Sequence, residues 1–416
     1  MFHRLTPKNA LGWAGLFWGV LSVFSLIILI EALWDPESYY TTDFAIKYVD
    51  GFARRGLGGE VLYFLSDLSA IPMTTVLTLL LVPLQAVFLW RMWRILRVAM
   101  TEPALWPLVL SPVMLIGYSV TQQMGHKEIL ILPLLAAMTA STLQGGRVPQ
   151  KLLAVGCLAS GPIVLVHEGL IAWLLFLPAL AALTWRDLSG ATRLAVLVGG
   201  AGAGAALLAS LMAPGTPAQG LAMCILYLER IGSDASQCPD FKAFTYFGQD
   251  SAQGVALLFE KMNGDGWLPV LGALVYVAPL AFVAALIWRR GGFRGAGFGG
   301  LLAAVLMVAM IVMTASIMMV AVDWGRFVSL VVIVLGFLTL IFALRPEVFG
   351  ANRVSLDVAW ITTHRNGWGW LMAAWALSWA PSKVVPELVS PLPMPLIVLV
   401  IWGLTKLLRK QHPQPE

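Results

Sequence analysis

The stretch LGWAGLFWGVLSVFSLIILIEAL, residues 11–33, holds a single charged residue, Glu31. About 20 consecutive apolar residues of helix cross the hydrocarbon core of a bilayer, and this run supplies them. Arg4 and Lys8 precede it. The run is too long and too poorly terminated for a cleaved leader, so it reads as a retained anchor. The rest of the chain repeats the pattern. It is 59% hydrophobic and 12% charged, with a mean hydropathy of +0.82, whereas soluble domains are about 45–50% apolar and about 25% charged. The expected fold is all-α: a polytopic integral membrane protein forming one membrane domain over residues 1–416.

Apolar segments place about twelve spans, at 11–33, 69–91, 104–121, 128–144, 152–167, 168–185, 192–213, 267–288, 297–320, 327–344, 367–383 and 389–408. Two connections are much longer than a turn, 34–68 and 214–266, and the second is expected to carry short helices at 217–231 and 253–262. With the N-terminus cytoplasmic and the sides alternating, 18 of the 27 basic residues fall on the inner side with 5 of the 22 acids. Inner enrichment of Lys and Arg is what membrane insertion selects. Both termini are therefore expected in the cytoplasm, and both long loops outside. In such a chain the net charge of +5 reports topology, so nucleic acid is not an expected partner and the lipid bilayer is.

The glycine run GGAGAGAA, residues 199–206, lies inside an apolar segment with no preceding strand. It reads as a small-residue face for helix packing, not as a dinucleotide loop. RRGGFRGAGFGG, 289–300, reads as a flexible basic inner loop. Cys157 sits within a span, as a small core residue. Cys224 and Cys238 share the second outer loop; a disulfide forms if that side is oxidising, and free thiols remain the alternative.

Unusual polar clusters gather at the outer ends of the spans. YVDGFARRGLGGE, 48–60, carries Asp50, Arg54, Arg55 and Glu60, a few residues after Asp43. GHKE spans 125–128, HEG 167–169 and DWGRF 323–327. Ionisable groups at membrane depth cost at least about 2.5–3.5 kcal/mol each on insertion scales unless they are paired or hydrated. Together they indicate an outward-facing polar cavity. Arg54 and Arg55 suit a phosphate, because guanidinium binds it bidentately, and the neighbouring glycines would let backbone N–H groups approach an oxyanion. The plain alternative is contact with lipid headgroups or with Asp50 and Glu60. Glu168 is the first choice of general base with His167 beside it, Asp50 and Asp43 following; otherwise His167 and Glu168 mark a turn facing water. Asp323 and Arg326, three residues apart, either pair with each other or bind substrate. His126, Lys127 and Glu128 either snorkel to the interface or bind phosphate and hydroxyl groups. No spacing demands a metal among these residues, and no cofactor is called for.

With its acidic first outer loop, scattered outer arginines and large late outer loop, the chain resembles bacterial enzymes of surface-polysaccharide assembly. These are the O-antigen and capsule polymerases and ligases and the wider integral-membrane type-C glycosyltransferases. The resemblance implies a polyprenyl (pyro)phosphate-linked sugar as substrate, used at the periplasmic or extracellular face of the bacterial inner (plasma) membrane, with polysaccharide-assembly proteins as partners. It implies that Asp43 or Asp50 matches the acid near the end of the first span that serves as base. Arg54, Arg55 and Arg326 match the arginines that hold the lipid pyrophosphate. The chain departs from that pattern in lacking a paired-acid motif in its first loop, and in placing its conspicuous carboxylate later, at Glu168. The leading expectation is a glycosyltransferase or polymerase. A transporter or flippase of a lipid-linked glycan or anionic lipid would use the same arginines without chemistry, and an accessory subunit would only dock a partner.

Overall fold

The computed structural model describes residues 7–49, 51–115, 126–245, 247, 255–256, 259–260, 268–291, 296–319, 324–351, 355–363, 368–369 and 371–372. Among them the chain is helical and contains no strand. Ten longer helices carry the architecture: α1 Pro7–Trp34, α2 Gly56–Ser69, α3 Met73–Ala99, α4 Leu132–Gly145, α5 Gln150–Val166, α6 Gly190–Met212, α7 Pro217–Ile231, α8 Leu268–Arg289, α9 Gly297–Met318 and α10 Trp324–Leu344. Five stretches among the described residues are long and apolar enough to cross a membrane: 14–34, 73–99, 190–212, 297–318 and 326–344.

Burial separates the faces of these helices. On α1, Leu16, Val20, Phe24 and Ile27 are exposed, and Leu194, Leu197, Leu208 and Leu211 are exposed on α6. So much uncovered apolar surface is stable only against lipid. The opposite faces pack inward. The Trp18 indole donates to the Leu89 carbonyl at 3.0 Å, and Gln85 donates to Ser25 at 2.8 Å, joining α1 to α3. The glycine run serves helix packing in part, at Gly199 and along the Gly202 backbone, while a Cβ on Gly200 or Gly204 would meet nothing within 4 Å. A Cβ on Gly199 would lie 2.2 Å from the Cys157 carbonyl oxygen, and one on Gly161 would lie 3.3 Å from the Gly202 backbone, so α5 and α6 meet backbone to backbone.

Three expected spans are not single helices; one of them, 128–144, opens as the 3-10 turn Lys127–Leu130 before α4. Residues 103–115 form three short pieces, Pro103–Leu105, Trp106–Val109 and Pro112–Leu115, each beginning at or beside a proline. Residues 168–183 break into Glu168–Leu170, Ile171–Leu174 and Phe176–Leu183. Trp106, Leu108, Trp173 and Phe176 in these pieces are buried by protein. Broken backbone at membrane depth is tolerated where neighbouring helices cover it. The expected spans at 367–383 and 389–408 lie outside the described residues or almost so, as does most of the expected helix 253–262.

The segments following α1 and α6 pack on one another. Phe44, Ile46 and Tyr63 from the first share a core with Met223, Tyr227, Phe241 and Phe244 from the second. Thr216 and Gln219 form a capping box at the start of α7, which covers 217–231 as expected. The Tyr227 hydroxyl donates to the Pro36 carbonyl, Arg230 pairs with Asp67, and the Gln219 side chain donates to the Val49 carbonyl at 3.1 Å. Cys224 and Cys238 form a disulfide within this unit, and Cys157 is a buried free thiol. The basic stretch after α8 is tied down in part, because Arg290 donates to the backbone carbonyls of Ser355 and Asp357.

Candidate functional site

The site forms where five chain segments meet. The first is the short helix Tyr39–Phe44, started by the Ser38 hydroxyl accepting from the Thr41 N–H. It carries Asp43, whose carboxylate lies 3.3 Å from the Lys127 ammonium. Their side chains are 7% and 1% exposed. Lys127 begins the 3-10 turn Lys127–Leu130, where Glu128 is 2% exposed. The Glu128 carboxylate lies 3.3 Å from Arg326 Nε near the start of α10. Arg326 also covers the Phe327 ring at 4.8 Å, and that ring stacks on Trp173. Lys127 and Glu128 therefore do not snorkel; they are ion-paired in the interior.

The second half of the site is the arginine doublet. Arg54 donates its backbone N–H to the Ala213 carbonyl at 3.0 Å, so the end of α6 holds the turn. Arg55 is the N-cap of α2 and sits in the left-handed region at φ 67°. For a residue with a side chain that costs roughly 1–2 kcal/mol, and such strain gathers at functional sites. Arg55 grips Glu168 with two donors of one edge: Nε lies 3.0 and 3.1 Å from the two carboxylate oxygens, and Nη2 lies 2.8 Å from Oε1. Arg54 Nη1 approaches the same Oε1 at 3.8 Å, and Arg54 Nε is buried with no hydrogen-bond partner. Two guanidiniums thus share one carboxylate.

Three of the glycines around the doublet allow close packing. A Cβ on Gly56 would fall 2.2 Å from the Tyr48 ring, one on Gly58 3.0 Å from Val166, and one on Gly59 2.1 Å from the Ile46 carbonyl oxygen. The Gly59 N–H donates to that same carbonyl at 3.1 Å. These glycines let the first turn of α2 press against its own chain and α5, and the Gly59 N–H is engaged within the chain. Glu60 is engaged too: its carboxylate accepts the Tyr48 backbone N–H at 3.0 Å.

The histidines complete the cluster. His167 ends α5 in extended conformation, and its Nδ1 accepts the Gly169 N–H at 3.1 Å. A neutral His167 therefore carries its proton on Nε2. His126 meets the edges of Tyr39 and Tyr40, with ring centroids 5.7 and 5.0 Å away. Long-range electrostatics joins the halves. Burial pushes the Asp43 carboxyl up, but the Lys127 ammonium, followed by His167, Arg55 and His126, holds it down at about 2. Burial and the adjacent Arg55 lower the Arg54 guanidinium, and Glu168 opposes them. Despite burial, Glu168 and Asp43 raise that of Arg55.

The structure thus brings together Asp43, Arg54, Arg55, His126, Lys127, His167, Glu168 and Arg326. Asp50 and Asp323 lie outside the described residues. Arg326 meets Glu128, a partner the spacing of DWGRF did not indicate. Glu128 of GHKE is an interior ion-pair member, and the site also includes Tyr39 and Tyr40, for which the adjacency in SYYTTD was the available signal. Among the described residues, four cations (Arg54, Arg55, Lys127 and Arg326) face three carboxylates (Asp43, Glu128 and Glu168). Such a cluster attracts an anion. Comparison of the chain with protein-family models, curated proteins and solved structures finds no match.

Proposed function

We propose that this protein is a multi-pass glycosyltransferase or polysaccharide polymerase that takes sugars from a polyprenyl (pyro)phosphate carrier in a cavity on the outer face of the bacterial inner membrane. The reading includes about twelve spans and cytoplasmic termini. One observation carries it: Arg54 and Arg55, held by a strained turn at the head of α2, converge on a single carboxylate in a cluster whose described residues include four cations and three carboxylates. The Cys224–Cys238 disulfide in the adjoining unit supports the outer side, because disulfides persist in oxidising compartments.

In this reaction the acceptor hydroxyl oxygen attacks the anomeric carbon. The bond from that carbon to the phosphate oxygen breaks, and the (pyro)phosphate leaves with the electron pair. Arg54 and Arg55 offset its developing charge. A carboxylate, Glu168 first and Asp43 or Asp50 next, receives the hydroxyl proton. Apolar helix faces hold the polyprenyl tail.

The pairing of Glu168, Asp43 and Glu128 with cations favours a second reading, a transporter or flippase that binds the same lipid without chemistry. Purified protein in nanodiscs, given a radiolabelled sugar on undecaprenyl diphosphate and an acceptor glycan, separates the two. Transfer of label to the acceptor, lost in Arg54→Ala, is the expected result. Movement of the intact lipid between leaflets of a vesicle without transfer would replace the enzyme by the flippase.

A further inference from the structure

The ion pairs among the described residues of the site differ in access. Lys127–Asp43 and Arg326–Glu128 are nearly sealed from solvent. The side chains of Arg54, Arg55 and Glu168 are 23%, 26% and 15% exposed, so their contact is the open end of the network. There, among the described residues, one carboxylate, Glu168, serves two guanidiniums. Both Arg55 donors of one edge are committed to it, while Arg54 reaches it only at 3.8 Å and leaves Nε unmatched. A carboxylate has two oxygens and one negative charge, too few for two guanidiniums. A terminal phosphate, with three oxygens and up to two charges, matches the pair.

Resting on the phosphate-binding reading above, we infer that Glu168 is the resident counter-anion of Arg55 and that a ligand phosphate binds by exchanging with it. The phosphate takes the Arg55 edge together with Arg54, and Glu168 is left in the site as an ionised carboxylate without its cation. Until phosphate binds, Glu168 is therefore a positioning residue: it holds Arg55 in place against the strain of its backbone. It becomes available as a proton acceptor only once the phosphate has displaced it. The exchange orders the reaction, since a base that appears only with the lipid phosphate cannot act on an acceptor alone.

Farnesyl phosphate titrated onto the protein in nanodiscs tests this, with binding followed by tryptophan fluorescence. A resident anion competes with the ligand, so Glu168→Gln is expected to bind farnesyl phosphate at least about fivefold more tightly than wild type, a coupling of ordinary size for two ligands sharing a site. Arg54→Ala is expected to bind it more weakly. Equal or weaker binding in Glu168→Gln that melts like wild type overturns the exchange while leaving the phosphate site standing. Absence of farnesyl phosphate binding in wild type overturns both. Infrared difference spectra of wild type guard against a misfolded variant: phosphate addition should shift a carboxylate band, and an unchanged carboxylate region overturns the exchange. Inorganic phosphate in place of the farnesyl ester distinguishes the sources. Competition at similar concentration assigns a free phosphate, and failure to compete assigns a lipid phosphate, the exchange being read from Glu168→Gln in either case.

Discussion

Lys127–Asp43 and Arg55–Glu168 are both cation–carboxylate pairs built from segments distant in sequence, yet their surroundings give them opposite roles. The first is enclosed, with side chains 1% and 7% exposed; the second meets solvent and has Arg54 beside it. An enclosed pair gains little over well-packed apolar residues, but loss of one partner strands a buried charge. An accessible pair with a surplus cation can trade its anion for another. Burial, more than residue type, separates the strut from the binding element.

The largest effect expected is on the enclosed pair. Asp43→Asn strands the Lys127 ammonium and should lower stability by about 3–5 kcal/mol, read as a fall in melting temperature in detergent. Pairing it with Lys127→Met should recover much of that loss; a double variant as unstable as the single one would show that packing, not charge, holds the two segments. Removing the Cys224–Cys238 disulfide by reduction should cost about 3 kcal/mol, the loop-closure expectation for about 15 residues, and the melt with and without reductant reads it. Gly59→Ala forces a methyl against the Ile46 carbonyl oxygen and should cost roughly 1–3 kcal/mol, with Gly204→Ala, whose added Cβ meets nothing within 4 Å, as the mild control. Smallest is Arg55→Lys: charge remains while the two-donor grip is lost, and phosphate affinity should fall about tenfold, or ~1.4 kcal/mol. If Arg55→Lys instead unfolds the protein, the open pair is a strut as well and the contrast fails.

Acid should strain the enclosed pair. Asp43 titrates lower in the folded protein, about 2, than its ordinary 3.8. Its stabilising contribution is therefore complete above the unfolded value and is lost as pH falls from about 4 toward 2. Melting temperature in Asp43→Asn should lack that acidic limb.

The membrane class was legible because it depends on composition summed over consecutive residues: a run such as 11–33 needs no partner to be apolar. The packing role of GGAGAGAA was legible for the same reason. The broken interior segments were harder to see, since 103–115 and 168–183 are as apolar as true spans and only their prolines and their burial against neighbours mark them as covered backbone. At the site, residue types and motifs stood out as costly anomalies, so most of the cluster could be nominated from the sequence. Their partners could not. Arg55 bonds Glu168 across 113 positions, and no periodicity encodes such a separation. Arg326 meets Glu128, a residue far away in sequence, and glycines near Arg55 accommodate Tyr48, Val166 and the Ile46 carbonyl. Local sequence sets which segments prefer lipid and which charges are too expensive to be idle. Which charges meet, and which pair stays open to a ligand, depends on how distant helices close around them, because the energy of an ion pair resides in its distance and its burial.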